Sequence, residues 1–282
     1  MKIVLNIVGA GHVGRALGHV LADRGGVTVQ DVLTRSMASA ADAIAFIGGG
    51  RAIAAARDLR PAPLWMLAVP DDRIAPAAAM LADLARPLSL RGAVVFHCSG
   101  AKASGELAPL AAAGAHVASV HPIRSFADPQ AVAQAFAGTF CGVEGDGAAL
   151  ALLAPLLARA GARSVAIDAA AKTVYHAASV FASNYLVTVL DAALRAYRAA
   201  GIPEDVAREL AAPLAGETLA NVLRLGAEGA LSGPIARGDT VTVARQQAAV
   251  GAWDAPTGAL YAALAEATRD LARRKHGANA DH

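Results

Sequence analysis

Apolar and polar positions follow two different rhythms along this chain. In roughly the first 168 residues, short apolar or β-branched runs alternate with stretches whose apolar residues return every three or four positions. "KIVLNIVG", "VTVQDVL", "PLWMLAVP", "GAVVFHCSG" and "AHVASVHP" read as strands, and 13–23, 36–45 and 71–85 read as the helices between them. A short helix near 129–135, a strand at "TFCGVEG", a helix over 147–159 and a strand at "RSVAI" extend the series. Strand, helix, strand in this order predicts βαβ units and a parallel sheet. Beyond 168 the strand signals stop, and helices are expected over about 170–199, 203–227, 240–251 and 255–275. "GIPED", "LSGPIARGD" and "WDAPTG" separate them, with Pro203 just inside a helix start and Asp239 or Thr240 placed to cap the next. The pattern predicts an α/β domain over 1–168 followed by an all-α domain over 169–282. The final "HGANADH" has little to pack against and is expected to fray.

The first strand runs directly into "GAGHVG" and then into a helical pattern. In that setting Gly9 permits a tight turn, Gly11 lets the backbone approach a pyrophosphate, and Gly14 lets the helix sit close to the strand. The helix start at His12 and Val13 presents free N–H groups and a positive dipole end to phosphates. The N-terminal domain therefore reads as a Rossmann-type dinucleotide-binding domain. At the end of the second strand, where an acidic residue would hold a ribose 2′-hydroxyl, the chain has Thr34, Arg35 and Ser36. A guanidinium flanked by hydroxyls suits a 2′-phosphate, so NADP(H) is expected over NAD(H), with NAD(H) as the alternative. A solvated Arg35 and a capping Ser36 would give the same letters. Asp31 lies within the strand, too early to reach the ribose.

Ligands of this architecture sit beyond the carboxyl ends of the strands. Those ends carry Val69 and Pro70, then His97, Cys98 and Ser99, then His121, Pro122 and Arg124. Val69 and Pro70 are expected beside the cofactor, Ser99 and Arg124 beside a substrate, and His121 among the reacting groups. Asp71 or Asp72 reads as a helix cap, and Cys98 as a small buried residue, since no base is spaced to activate it.

The stretch "KTVYHAASVFASN" raises a separate question. On a helix, Lys172, Tyr175, His176, Ser179 and Ser183 share one stripe, while Val174, Ala177, Ala178, Val180 and Phe181 fill the rest. Leu186 and Leu190 continue the stripe as apolar residues. A polar stripe that lasts only three turns of an apolar helix predicts a ligand cleft beside those turns, or else a buried polar network. Further on, Arg237 in "GPIARGD" could close over an anionic substrate or pair locally with Asp239.

Bulk composition narrows the classes. With 55% hydrophobic and 17% charged residues the chain is expected to be globular, and a net charge of +2 from 25 basic and 23 acidic residues offers nothing to nucleic acid. The positive mean hydropathy comes from alanine, and no run of about 20 uninterrupted apolar residues occurs, so no membrane partner is expected. The N-terminus meets glycines too early for a signal sequence. Two cysteines, Cys98 and Cys141, fit a reducing compartment, and the expected location is cytoplasmic. No metal-ligand spacing is present.

"GAGHVG", "AVPDD", "HCSGA", "HPIRSF", "KTVYHAASVFASNYL" and "GPIARGD", in this order, resemble a bacterial family of Rossmann-like oxidoreductases whose C-terminal helical half is a domain of unknown function. More distantly the chain is similar to ketopantoate reductase and pyrroline-5-carboxylate reductase, with a helical domain like the C-terminal domain of 6-phosphogluconate dehydrogenase. The resemblance implies an NAD(P)-dependent oxidoreductase acting on a small molecule, and a homodimer formed through the helical domain. It implies an NADPH-dependent reduction of a small ketopantoate-like oxo acid or an imine. In those relatives a lysine opens the first interdomain helix and an asparagine follows one turn later. Lys172 matches the lysine and is expected to donate a proton to, or stabilise, the alkoxide. His176 stands where the asparagine would be, and with Ser179 is expected to orient substrate or relay the proton. Alternatives are a prephenate-like dehydrogenase, suggested by His121-Pro122, and a non-catalytic NADP(H)-binding sensor or scaffold.

Overall fold

The computed structural model describes residues 2–280, and the chain falls into two compact units, one ending at Ser183 and the other beginning at Asn184. The first unit is built on an eight-stranded sheet in the order β3-β2-β1-β4-β5-β6-β7-β8. Its strands are β1 (Ile3–Val8), β2 (Val27–Leu33), β3 (Arg51–Ile53), β4 (Leu64–Leu67), β5 (Val94–His97), β6 (His116–Pro122), β7 (Phe140–Gly145) and β8 (Arg163–Ala166). All neighbours pair in parallel except β6 and β7, which are antiparallel. The strand order reverses between β1 and β4, the point at which such a sheet opens a crevice beyond its carboxyl ends.

Two cores cover the two faces of this sheet. One packs α1 (His12–Val20), α2 (Met37–Ile47), α5 (Pro129–Gln134) and α6 (Gly147–Arg159) through Leu17, Ile47, Val132 and Leu153 against Leu5, Ile7 and Phe96. The other packs α3 (Ile74–Asp83) and α4 (Ala108–Ala112) through Leu81 and Leu110 against Trp65, Leu67 and Val95. Burial on both faces explains why the central strands read as continuous apolar runs rather than alternating ones.

β3 escaped the sequence reading because it is three residues long and opens on an exposed arginine. Pairing is reinforced by charge: Arg51 Nε lies 3.0 Å and Arg60 Nη2 2.7 Å from the buried Asp31 carboxylate. Burial opposes ionisation of Asp31, but hydrogen bonds from Arg60 and Arg51 outweigh it and hold its pKa below the ordinary value. Asp31 is thus a structural anchor for the 51–60 segment.

The strands end at Ala166, and helix α7 (Lys172–Val180) follows a single turn at Ala169–Ala171 that Asp168 caps. A wider turn at Phe181–Tyr185 leads into α8 (Leu186–Ala199), so the change from strand to helix at 168 and the division into units at 183/184 fall at different places. The continuous run Ala169–Ala199 is long and apolar enough, by length and composition, to cross a membrane, with a mean hydropathy of 1.4. Its first turns are built into the first unit.

The second unit holds the rest of the helices: α9 (Glu204–Ala230), broken by Gly226 at φ 74°, α10 (Thr240–Trp253) and α11 (Ala255–Ala280). Asp239 caps α10 by accepting the Thr242 N–H, and Arg195 ties α8 to Asp254 and Thr257. The tail expected to fray from His276 continues helical to Ala280, and Asp281 and His282 lie outside the described residues.

Candidate active site

A cavity of about 1040 Å³ lies over the carboxyl ends of the strands in the first unit. Gly9, Gly11, His12, Val13, Thr34, Arg35, Val69, Pro70 and Ser99 line it, nine positions singled out from sequence. Gly9 has φ +84°, and a Cβ there would meet Ala68 O at 2.7 Å, so the turn demands glycine. Gly11 has open space around its Cβ position, which leaves its backbone accessible from the cavity. Gly14 faces away from the cavity and packs: a Cβ would meet Gly9 O at 2.7 Å and Ala68 Cβ at 2.9 Å.

Around Arg35 the outcome is mixed. Arg35 is exposed and lines the cavity, whereas Thr34 Oγ1 donates to Ser36 O and Ser36 Oγ accepts the Ser39 N–H as the cap of α2. Ser36 is therefore a cap and does not line the cavity. Neither Asp71 nor Asp72 caps the helix after it; Asp71 lines the cavity and Asp72 lies 3.5 Å from Arg73. Arg15 and Arg73 add two cations to the lining, and Ala54, Ala56, Pro76, Ala77 and Met80 add apolar wall. Sequence reading missed these because they come from helix faces and from the loop behind β3.

Beyond Ser99 the strand ends and α7 meet in a polar cluster. On β6 and β7 the cross-strand pairs Ser119–Glu144 and His121–Gly142 alternate along one face. Lys172 lies against the first pair and Tyr175 against the second. Lys172 Nζ donates to Ser99 O at 2.9 Å and to Ser119 Oγ, and stands 3.9 Å from Glu144 Oε1. Glu144 also accepts the Ser104 N–H and O–H, both at 2.7 Å. Lys172 is 2% exposed, so its ammonium does not face the cavity as the sequence reading expected; it is enclosed behind the Ser99 peptide. Burial lowers its pKa, with Glu144 and Asp71 opposing. Ser119 and Glu144 were absent from the sequence reading; the signal for Ser119 was its place two residues before His121, on the same strand face.

Ser99 itself is fully engaged. Its N–H donates to His97 Nδ1, its carbonyl accepts from Lys172 and Ser119, and its Oγ accepts the Ala101 and Lys102 N–H groups. His97 Nε2 lies 3.0 Å from Ala103 O, so a neutral ring with its proton on Nε2 satisfies both partners, and burial lowers its pKa accordingly. With both lone pairs of the Ser99 hydroxyl used, the group can act toward a ligand only as a donor. Cys98, expected to be buried, is only partly so: it packs against the core and also lines the cavity, and burial pushes its thiol up to about 12.

His121 Nδ1 lies 2.8 Å from the Tyr175 hydroxyl, and the His121 and His176 rings meet edge to face with centroids 5.4 Å apart. Burial first, then the repulsion a charged His121 would meet from its neighbours His176 and Lys172, brings the His121 pKa down to about 4. Between that value and 6.5 the unfolded chain binds a proton that the folded chain does not, so stability is full above pH 6.5 and falls as pH drops toward 4. The loss is on the order of 3 kcal/mol for such a shift, and His97 adds to it in the same direction. Urea melts at pH 7.0, 5.5 and 4.0 are expected to show this slope, reduced in His121→Asn.

The other candidates stand apart. Arg124 donates to Ala135 O and Thr139 Oγ1 and so ties the loop after β6 to the approach of β7, not to the cavity. Ser179 is half-buried further along α7, and its hydroxyl makes no hydrogen bond among the described residues. Arg237 belongs to the second unit, in the turn before α10. No group of three or more metal-ligating side chains occurs among the described residues.

Residues 1–122 match the model of a Rossmann-like domain, and residues 139–268 match that of a domain of unknown function, DUF2520. The chain joins these two domains. Protein TM1727 from Thermotoga maritima is 26% identical to it, with 96% of this chain and 99% of that chain covered and a TM-score of 0.72. An imine reductase from Myxococcus stipitatus in complex with NADP+ is 18% identical, over 98% of this chain and 94% of that one, at a TM-score of 0.65. A pyrroline-5-carboxylate reductase from Coxiella burnetii is 15% identical, over 96% and 99%, at 0.58. No curated protein matches.

Proposed function

We propose that the protein is an NADP(H)-dependent oxidoreductase that reduces a small oxo acid or imine, or oxidises the corresponding product. The observation that carries this reading is the continuity of one cavity from Arg35, past the glycine turn, to Ser99. The residues present fit a dinucleotide: Gly9 and Gly11 form a backbone cradle, and Arg15, Arg35 and Arg73 supply cationic groups along the lining. When bound, the nicotinamide nucleotide supplies or accepts the hydride. Similarity to an imine reductase holding NADP+ and to a pyrroline-5-carboxylate reductase supports the same chemistry.

In this reading Lys172 acts as a fixed positive charge behind the Ser99–Gly100 turn. Two of its three N–H groups are held by Ser99 O and Ser119 Oγ and its side chain is enclosed, so it stabilises negative charge developing in front of that turn without handing over the proton itself. His121 and His176 are the groups placed to manage the proton. A homodimer through the helical domain belongs to the same proposal, supported by exposed apolar side chains such as Leu214, Leu219 and Leu223 along α9.

NADPH is expected to raise the melting temperature more than NADH does, and a panel of 2-oxo acids and cyclic imines to reveal NADPH oxidation. Arg35→Ala is expected to weaken NADPH binding by about tenfold to a hundredfold, as befits one lost charge-assisted contact, with NADH binding unchanged. Equal affinity for the two nucleotides in the wild type would overturn the NADP(H) assignment. Tight NADPH binding without turnover of any oxo acid or imine would point to a sensor instead.

A further inference from the structure

Among the described residues the buried acids are Asp31 and Glu144, and the buried lysine is Lys172. Asp31 is claimed by Arg51 and Arg60, 3.0 Å and 2.7 Å away. Glu144 and Lys172 are left to each other, with Oε1 3.9 Å from Nζ and side chains 7% and 3% exposed. Theirs is an ion pair without a hydrogen bond, and each partner is gripped elsewhere. Ser104 donates its N–H to Glu144 Oε1 and its O–H to Oε2, both at 2.7 Å, so both carboxylate oxygens are fixed. Lys172 Nζ is held by Ser99 O and Ser119 Oγ. Ser119 and Glu144 are cross-strand partners on β6 and β7, which sets hydroxyl and carboxylate side by side under the lysine.

We infer that Glu144 is a positioning residue for the reaction proposed above: its fixed carboxylate keeps Lys172 in the ammonium form, seated on the Ser99 carbonyl. The hydrogen-bond pattern depends on that form. As an ammonium, Nζ donates to Ser99 O and Ser119 Oγ, and the Ser119 hydroxyl donates its own proton to Ser99 O at 3.3 Å. A neutral amine has a lone pair that would draw the Ser119 proton to itself. Ser99 O would then lose a donor, and the charge behind the turn would be gone.

Enclosure by itself favours the amine. Of the other titratable groups around Nζ, His97 on β5 and His121 on β6 are neutral rings, and the Cys98 thiol keeps its proton. Asp71, after β4, is an exposed residue of the cavity lining whose field water screens. Among the described residues, Glu144 is therefore the anion that acts on Nζ at close range and without screening.

The inference rests on the oxidoreductase reading for its consequence, but its test needs no turnover. The chain has four lysines, so protein labelled with ¹⁵N at the lysine side chains gives a spectrum in which Lys172 is assigned by its loss in Lys172→Met. At pH 7.5 the wild-type Lys172 nitrogen is expected as an ammonium, and raising the pH finds the point at which it gives up its proton. Glu144→Gln keeps the shape and removes the charge, and should shift the ionisation ratio roughly tenfold or more toward the amine at any given pH. Glu144→Asp, its charge drawn back by one methylene, should titrate between the two, and decides the matter if Glu144→Gln fails to fold. A merely structural Glu144 would lower the melting temperature and leave the lysine titration unmoved. A neutral amine in the wild type at pH 7.5, or variants that titrate as the wild type does, would overturn the assignment. With a substrate that turns over, the alkaline fall of kcat should move to lower pH in Glu144→Gln by the same amount. A shifted lysine with an unmoved kcat profile would instead count against the part of that charge in hydride transfer, with the coupling of Glu144 to Lys172 still standing.

Discussion

Gly9→Ala is expected to lose measurable NADPH binding and about 2–5 kcal/mol of stability, whereas Gly11→Ala is expected to keep its stability and lose only affinity. The two glycines are two residues apart in one turn and serve different ends. Gly9 holds φ +84°, which costs an L-residue roughly 1–2 kcal/mol, and its added methyl would stand 2.6 Å from Val69 Cγ1 and 2.7 Å from Ala68 O. Ala68 is held to β1 by its N–H to Val8 O, so it yields only if the end of β4 moves, a strain of about 1–3 kcal/mol. Gly11 sits at φ −68° with no atom within 4 Å of its Cβ position, so the fold has no objection to a methyl there. What objects is a phosphate drawn against the backbone. Melting curves without nucleotide, beside fluorescence titrations with NADPH, separate the two. If Gly11→Ala bound NADPH as the wild type does, the glycine turn would not be the pyrophosphate cradle.

The glycine turn was legible from sequence because its physics is local: a strand, a tight turn and a helix start are all written within 14 residues. The strand order of the sheet was less so, since β3 is held by Asp31, Arg51 and Arg60, three residues spread over 30 positions that meet only after folding. The polar stripe on α7 was visible as a helical period, but its meaning was not. Half of the answer lies in the alternation of Ser119 and His121 on β6 and of Gly142 and Glu144 on β7, and no single segment shows that these two strand faces lie under Lys172 and Tyr175. Arg124 was read as a substrate contact because a guanidinium after a strand end invites it. The carbonyl at Ala135 and the hydroxyl of Thr139 claim it instead.

Lys172→Met is expected to be the most damaging substitution, and its partner Glu144 explains how to interpret it. Methionine nearly matches the length of lysine but brings no charge, leaving the Glu144 carboxylate, 7% exposed, without its cation. Breaking a buried pair in this way costs about 3–5 kcal/mol; Ser104, donating twice to Glu144, holds the loss near the lower end. Adding Glu144→Gln removes the stranded charge and is expected to recover part of that stability. Turnover should not follow. If the ammonium is the positive charge behind the Ser99–Gly100 turn, both Lys172→Met and the double variant lose roughly a hundredfold to a thousandfold in kcat, the scale of one electrostatic stabiliser removed. The pH dependence gives an independent reading. Burial lowers the folded-state pKa of Lys172 below 10.5, so between the two values the unfolded chain holds a proton that the folded chain lacks, and stability rises with pH across that window. Cys98, Cys141 and Tyr175, each raised to about 12 by burial, make stability fall with pH over the same range. The lysine is therefore read as a difference: stability of Lys172→Met should fall more steeply with alkaline pH than that of the wild type. A double variant that regained both stability and wild-type kcat would mean that the lysine serves only to neutralise Glu144, and the charge behind Ser99 would then have no part in hydride transfer.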